Sequence, residues 1–218
     1  MKQIKQTILL IALVTLMVNI CNAQNHTNDT RDKFQVGLKL GANLSNVFDT
    51  EGDNFTADSK LGLAGGVFAT IPIGTFLGVQ PELLFSQKGY KGSGSILGSE
   101  YKYSRTSNFI DVPIFLAVKP ISFLTILVGP QYSFLIKETY KFDSEFINVI
   151  NEQEFTNDNI RKNTLCLVGG VDINLKQLVI GARIGWDLQN NKGDGTSTTP
   201  RYKNIWYQGT LGYRLFVN

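Results

Sequence analysis

Histidine and cysteine are almost missing from this chain of 218 residues, which has one histidine and two cysteines. His26 lies in a polar stretch near the N-terminus. Cys21 lies at the end of the apolar segment that precedes this polar stretch. A Ser/His/Asp or Cys/His relay therefore has no base, and a zinc site lacks enough ligands. We predict no cofactor and no enzymatic activity. We expect Cys166 to be a small buried apolar residue.

Long apolar runs are also missing. The longest, residues 8–20, has 13 positions, whereas a membrane-spanning helix needs about 20. Lys2 and Lys5 precede this run and small residues follow it, an arrangement typical of a secretory signal peptide. We predict a signal peptide over residues 1–23 and a flexible polar leader over residues 24–33.

A lipoprotein signal acylated at Cys21 is the alternative for the same segment, but Ile20 occupies the place where such signals need a small side chain. Cleavage before Gln24 leaves a single thiol in the mature chain, so no intramolecular disulfide can form. Removal of Lys2 and Lys5 lowers the basic count from 21 to 19, against 18 acidic residues. This near-neutral balance predicts no nucleic-acid-binding surface.

Strict alternation of apolar with small or polar residues begins at residue 34. Every even position of residues 34–45 is apolar and no odd position is, so a strand here has one apolar face. The same period recurs seven more times along the chain. The eight predicted strands cover residues 34–46, 60–71, 76–90, 102–118, 123–136, 162–175, 178–189 and 203–217. Each is long enough to cross a bilayer at a tilt, which takes about 9 to 11 residues.

Short and long connections alternate between these strands. Tight turns are predicted around residues 72–75, 119–122 and 176–177, and long polar loops at residues 47–59, 91–101, 137–161 and 190–202. In an up-and-down barrel, this alternation places the short turns and both termini in the periplasm and the long loops outside the cell. The pattern predicts an all-β, eight-stranded antiparallel up-and-down transmembrane β-barrel over residues 34–218, in the outer membrane of a Gram-negative bacterium.

The predicted outward face of this barrel is apolar and carries no charge. Its aromatic side chains lie toward the loop ends of their strands, which predicts an outer aromatic girdle against outer-membrane lipid, formed by Phe85, Tyr132, Phe134, Trp186 and Tyr207. The opposite face is rich in glycine and in charges of both signs. A soluble ligand-binding barrel with an apolar interior has the same period and is the alternative.

The C-terminus has the pattern of an assembly signal. Thr210, Gly212, Leu215 and Val217 match the polar, glycine and apolar positions that end outer-membrane barrels. We therefore expect the barrel-assembly machinery as a partner through these four residues.

Three prolines, Pro81, Pro113 and Pro130, oppose the strand assignment. Proline cannot donate a hydrogen bond to a strand ladder, and a closed barrel offers no free edge. We expect local bulges at these positions.

Five motifs are distributed along the mature chain: GLKLGANLS at residues 37–45, VQPELLFSQKG at 79–89, FIDVPIFL at 109–116, VGPQYSFL at 128–135 and GARIGWDL at 181–188. As a set they resemble the PorT-like outer-membrane β-barrel family of Bacteroidota, and Pro81, Glu82 and Pro113 match that family's pattern. The resemblance implies an eight-stranded outer-membrane barrel. It implies no single activity, because the family is named after a member tied to type IX secretion and fold alone does not determine function.

Charges of both signs collect on the predicted inward face. We predict a structural ion-pair network in the lumen, formed by Lys39, Glu82, Arg105, Asp111, Asp172, Arg183, Asp187 and Arg214. Glu82 and Asp111 are expected at similar heights, with Asp172, Arg183 and Arg214 in a lower group. A hydrolytic acid and base pair formed by Glu82 and Asp111 is the alternative. The lumen of an eight-stranded barrel is only wide enough for its own side chains, which favours a structural plug.

The third long loop, residues 137–161, interleaves acidic with apolar side chains. Loops on rigid scaffolds commonly carry function, so this loop is a candidate contact surface for a protein partner; a cap packed on itself is the alternative.

Two functions are compatible with a membrane barrel of this kind. One is a non-enzymatic structural, adhesive or accessory role, and the other is a narrow pore for small solutes.

Overall fold

The computed structural model describes residues 29–49, 57–96, 99–144, 148–153, 161–193 and 201–217. The predicted signal peptide lies outside these residues. Nine strands are described: β1 (Gln35–Asp49), β2 (Asp58–Pro72), β3 (Leu77–Ile96), β4 (Ser99–Ile121), β5 (Leu124–Ser144), β6 (Asn148–Gln153), β7 (Asn163–Leu175), β8 (Leu178–Asp187) and β9 (Tyr202–Val217). In the described ranges, no helix has the length and apolarity needed to cross a bilayer.

Eight of these strands form a closed antiparallel ring. Each strand from β1 to β5 pairs with the next, β5 pairs with β7, and β7, β8 and β9 follow in order. The ring closes where β9 pairs with β1 along the whole of Gln35–Asp49. β6 lies outside the ring and pairs with β5 over residues 138–143. The predicted eight-stranded up-and-down barrel is confirmed.

At the end of the barrel that carries the long connections, the strands extend further than the sequence predicted. β3 and β4 pair in register as far as Ile96 and Ser99, through most of the predicted loop 91–101. β5 continues to Ser144, and β6 lies entirely within the predicted loop 137–161. Strands above the membrane have no lipid-facing side, so the period of two weakens there while the backbone ladder continues. The bounds of both loops therefore differ from the prediction.

The exposure of side chains along the strands shows which face meets lipid. Leu40, Leu61 and Leu211 are exposed by 73%, 70% and 66%, whereas Lys39 and Asp111 are exposed by 4% and 1%. In a closed ring the accessible surface is the outer wall, so the apolar side chains point away from the axis and the ionised ones point toward it. The predicted orientation is confirmed, and the alternative of a soluble barrel with an apolar interior is wrong.

The three strand prolines interrupt the ladder without shifting its register. Pro81 faces Ile114, and β3 keeps the same register on β4 on both sides of this pair. Pro113 and Pro130 are likewise followed by unshifted pairs. A proline removes one donor, and the flanking pairs hold the strands in place. The expected bulges at the prolines are therefore absent from these described strands, and register shifts occur elsewhere, for example between Asn108 and Phe109.

The segment before β1 crosses the periplasmic end of the barrel. Lys119 Nζ, at the end of β4, donates a hydrogen bond of 2.7 Å to the carbonyl oxygen of Arg31. The Arg31 guanidinium donates in return to the carbonyl oxygens of Lys119 and Pro120, at 3.4 and 3.3 Å. Because β1 and β4 are separated by two strands in the ring, this contact covers part of the periplasmic opening.

Candidate functional site

Four charged side chains from four strands form a cluster in the part of the lumen nearer the periplasm. Lys39 Nζ lies 2.5 Å from Glu82 Oε1. An Arg183 guanidinium nitrogen lies 2.7 Å from Asp172 Oδ1 and 3.7 Å from Glu82 Oε1. We call Lys39, Glu82, Asp172 and Arg183 the lower cluster. It connects β3 with β8 across the lumen, although these strands are not neighbours in the ring.

Neutral groups complete the lower cluster. The Gln80 side-chain amide donates to Glu82 Oε1 at 2.9 Å and to Asp172 Oδ2 at 3.3 Å. The Lys39 ammonium lies 4.9 Å from the centre of the Phe68 ring, a cation–π distance. Each buried carboxylate is thus matched by a cation and by a neutral donor, which is what a buried charge requires.

A second group, the upper cluster, surrounds Lys88 nearer the extracellular end. Lys88 Nζ lies 3.0 Å from Asp111 Oδ2 and 3.8 Å from the centre of the Trp206 ring. Phe109 faces the same ammonium group at 4.9 Å. Trp206 packs over Gly185 of β8, where a Cβ atom would lie 2.3 Å from the indole. The missing side chain at residue 185 therefore makes room for the indole beneath Lys88.

A third group of buried charges lies toward the extracellular end of the lumen. Arg105 Nε and NH2 donate to the two carboxylate oxygens of Glu138, at 2.5 and 2.7 Å. Ser107 Oγ donates to Glu138 at 2.8 Å. The guanidinium lies 5.2 Å from the centre of the Tyr202 ring. Tyr90 packs edge-on against Tyr202 with ring centres 5.6 Å apart. We call Arg105 and Glu138, with the two tyrosines, the mouth cluster.

Asp187 and Arg214 have mostly neutral hydrogen-bond partners. Asp187 accepts from the backbone N–H of Asn204 at 3.0 Å, from the Asn204 side chain, and from Cys166 Sγ at 3.2 Å. Arg214 donates to the Lys176 carbonyl oxygen at 2.8 Å and to Asn174 Oδ1. In the part of the chain that the structure describes, neither residue has an ion-pair partner. Cys166 is fully buried, as its sequence context predicted.

The positions of Glu82 and Asp111 differ from those expected. Asp111 faces Leu84 across the β3–β4 ladder, so Glu82 lies one inward position nearer the periplasm. The two carboxylates belong to different clusters, and each has its own lysine. The expected lower group also differs, because Arg183 contacts Asp172 and Glu82 while Arg214 lies apart. This geometry does not form the acid and base pair of the hydrolytic alternative.

Sequence reasoning missed three groups that complete these clusters. Glu138 lies in the predicted loop 137–161. Its position diagonal to Arg105 in the β4–β5 ladder predicts the contact only once the two strands are known to continue. Trp206 has the inward parity of β9, but its role beside Lys88 depends on the close approach at Gly185. Gln80 also has inward parity, and only the register of β3 shows that it lies between two carboxylates.

The predicted girdle residues lie on the outer wall. Phe85 and Phe134 both stand beside Ile110 in the ladder, on the lipid-facing side of β3, β4 and β5. The Tyr132 and Phe134 rings are 4.8 Å apart in an edge-on arrangement. The other two aromatic residues are Trp186, which is half-buried, and Tyr207, which is exposed.

Comparison with protein families agrees with a membrane barrel. A family model described as "Outer membrane protein beta-barrel domain" matches residues 22–193. None of the curated proteins compared with the chain matches it. Among solved structures, the chain is similar to the attachment invasion locus protein Ail of Yersinia pestis, with 14% identity, a TM-score of 0.45, and coverage of 84% of this chain and 99% of that one. It is also similar to Neisserial surface protein A, with 13% identity, a TM-score of 0.42, and coverage of 82% and 96%. A third similar structure is CarO of Acinetobacter baumannii, with 10% identity, a TM-score of 0.38, and coverage of 79% and 96%.

Proposed function

The chain belongs to the family of outer membrane protein β-barrel domains and is located in the outer membrane of a Gram-negative bacterium, and on this premise we propose that it is a non-enzymatic barrel with a filled lumen. It acts as a structural, adhesive or accessory membrane protein through its extracellular end. The alternative of a narrow pore is the outcome that our first experiment would detect.

The stack of buried ion pairs along the lumen carries this proposal. The lower cluster, the upper cluster and the mouth cluster follow one another from the periplasmic end to the extracellular end. Their side chains come from seven strands of the ring, so they fill the cross-section at three heights. Removing one partner of a buried ion pair costs about 3 to 5 kcal/mol, which makes each cluster a rigid obstacle to ions and solutes.

Single-channel recording tests the filled lumen. The mature protein is reconstituted in planar bilayers, with a porin in identical bilayers as the positive control. We expect no unitary conductance from the wild-type barrel at voltages at which the porin conducts. Reproducible unitary steps from the wild-type protein would support the narrow pore and contradict this proposal.

The extracellular end supports a role outside the lumen. β3 continues from Phe85 of the girdle to Ile96, which places its tip about 35 Å further along the strand. β4 and β5 extend in the same region, where the half-buried rings of Tyr101 on β4 and Phe142 on β5 stack with their centres 5.6 Å apart. Aromatic side chains on a rigid extended sheet are suited to contacts with another surface. The predicted contact segment, residues 137–161, contributes the end of β5 and all of β6 to the same region.

Cross-linking on intact cells tests the extracellular role. Residues 145–157 are replaced by an equally long Gly/Ser segment, which removes β6 and keeps the connection between β5 and β7. We expect protein adducts of the wild type to be lost in this variant while the barrel remains folded. Identical adducts from both proteins would contradict a partner at this segment.

Finer assignments rest on sequence alone. The five motifs and the matching Pro81, Glu82 and Pro113 support placing the chain among PorT-like barrels of Bacteroidota. The composition of residues 1–23 supports a cleaved signal peptide. The pattern of Thr210, Gly212, Leu215 and Val217 supports recognition by the barrel-assembly machinery. Protein sequencing of the mature N-terminus from outer-membrane fractions tests the cleavage site, with Gln24 as the expected first residue.

A further inference from the structure

A row of lysines lies on the outer wall above the aromatic girdle. Lys91 of β3 and Lys141 of β5 both pair in register with Ser104 of β4, so the three side chains stand side by side on one face. This face is the outward one, because both lysines are exposed while the next residue of β4, Arg105, is buried in the mouth cluster.

Lys60 of β2 reaches the same place from the side. Its ammonium group donates to Ser104 Oγ at 2.8 Å and to Thr106 Oγ1. Partial burial, and then repulsion from Lys91 and Lys141, lower the pKa of this ammonium group. We call Lys60, Lys91 and Lys141 the lysine row. An anion among these ammonium groups would relieve the repulsion between them.

The surroundings of the lysine row are positively charged. Within the described residues, no carboxylate forms an ion pair with any of the three lysines. Two further lysines, Lys102 and Lys137, share the outward face of β4 and β5. The acidic positions beside the row in the ladders are Asp58, which faces Lys91, Asp143, which faces Lys102, and Glu152, which faces Thr139. Five lysines therefore share this part of the wall with three acidic positions.

The height of the lysine row distinguishes between kinds of lipid. Ser104 lies six residues beyond Ile110, the girdle position between Phe85 and Phe134. This separation is about 20 Å along the strand, or about 15 Å above the girdle at the usual strand tilt. The headgroup layer of an ordinary phospholipid adds only about 5 to 7 Å to each side of the hydrocarbon. A lipid that reaches the lysine row needs a larger headgroup that carries negative charge at this height.

We propose that the lysine row binds the anionic sugar headgroup of an outer-leaflet glycolipid, whose phosphate or carboxylate groups lie among the three ammonium groups. The apolar belt below holds the acyl chains of the same molecule, and Ser104 and Thr106 fix the direction of the Lys60 side chain. This inference goes beyond the proposed function, since it requires only the observed orientation of the outer wall.

The proposal is tested by a binding titration. A fluorescently labelled rough lipopolysaccharide, which carries a phosphorylated core oligosaccharide, is titrated into the full mature protein in neutral detergent micelles. The main variant is K60Q/K91Q/K141Q. A surface lysine contributes about fivefold to the affinity for an anionic membrane, so we expect binding to weaken on the order of 100-fold. A second variant, K91Q/K141Q, leaves the Lys60 hydrogen bonds intact and should weaken binding on the order of 30-fold.

The control variant K162Q/K176Q/K192Q loses the same charge at lysines outside the row, and we expect it to bind like the wild type. Phosphatidylglycerol and millimolar inorganic phosphate are the competitors, and neither should displace the labelled glycolipid. Unchanged binding by the two row variants would overturn the proposal. Equal weakening by the control would show a net-charge effect, and displacement by inorganic phosphate or by phosphatidylglycerol would show a general anion or phospholipid site. Each of these results also overturns it.

Discussion

Single buried charges connect strands that the backbone ladder does not connect. Arg183 of β8 contacts carboxylates on β3 and β7, and only β7 is its neighbour in the ring. The Lys88 ammonium group of β3 lies over the Trp206 ring of β9, again across the lumen. Such contacts hold the cross-section of the barrel at a fixed shape. Their loss therefore lowers the free energy of unfolding of the whole ring.

Removing one lumenal carboxylate tests this residue-scale account. Glu82→Gln leaves the Lys39 ammonium without its anion, and Asp111→Asn does the same to Lys88. We expect each variant to lower the free energy of unfolding by about 3 kcal/mol, the lower end of the cost of breaking a buried pair. Urea unfolding in detergent micelles measures it, with the exposed Lys162→Gln as control. Wild-type stability in both carboxylate variants would contradict the structural network.

The two faces of β9 provide a matched pair of aromatic substitutions. Trp206 is 1% exposed in the lumen, and its neighbour Tyr207 is 56% exposed on the outer wall. We expect Trp206→Ala to cost about 3 to 5 kcal/mol, because it leaves a cavity beside Lys88. Tyr207→Ala leaves no cavity and should cost less. Thermal gel-shift curves compare the two, and a larger loss from Tyr207→Ala would contradict the assignment of faces.

The strands of the ring and β6 differ in what holds them. Each ring strand has hydrogen-bonded neighbours on both sides, whereas β6 pairs only with β5 among the described strands, over residues 138–143. The pairing of β5 with β7 lies lower, from Leu124 to Phe134. β6 is therefore an addition to the extracellular end and does not take part in ring closure.

Removal of β6 tests this difference between elements. In the variant with residues 145–157 replaced by Gly/Ser, every ladder of the ring is retained, so we expect the folded barrel to keep its faster gel mobility without heating. The unheated and heated samples of wild type and variant are compared on one gel. A variant that migrates only as the unfolded form would show that β6 is needed for the ring.

Strand alternation predicted the eight ring strands because one face of each is fixed by lipid. Leu38, Leu40 and Leu44 are all outward on β1, as a strict period of two requires. β6 was missed because the segment above the membrane has no lipid-facing side to impose that period. The partners of Arg105 and Lys88 were missed for a related reason, since they depend on register and close backbone approach, which the sequence pattern does not encode.

At the scale of the whole molecule, the barrel has the opposite arrangement to a soluble protein. Its exposed apolar side chains form the outer wall, and its ion pairs are buried inside the ring, together with an apolar cluster that includes Phe115 and Trp206. Water is absent from the bilayer interior, so closure of the ring satisfies the backbone, and the part of the outer wall that faces the acyl chains contributes no charge. The proposed filled lumen, the extracellular extension and the proposed role of the lysine row all depend on this orientation.

Fluorescence quenching by brominated lipids tests the orientation most directly, because the chain has only two tryptophans, one on each face. Trp206→Phe leaves Trp186 on the outer wall, and Trp186→Phe leaves Trp206 in the lumen. In bilayers with brominated acyl chains, we predict strong quenching of the first variant and little quenching of the second. Strong quenching of Trp206 with an unquenched Trp186 would contradict the account.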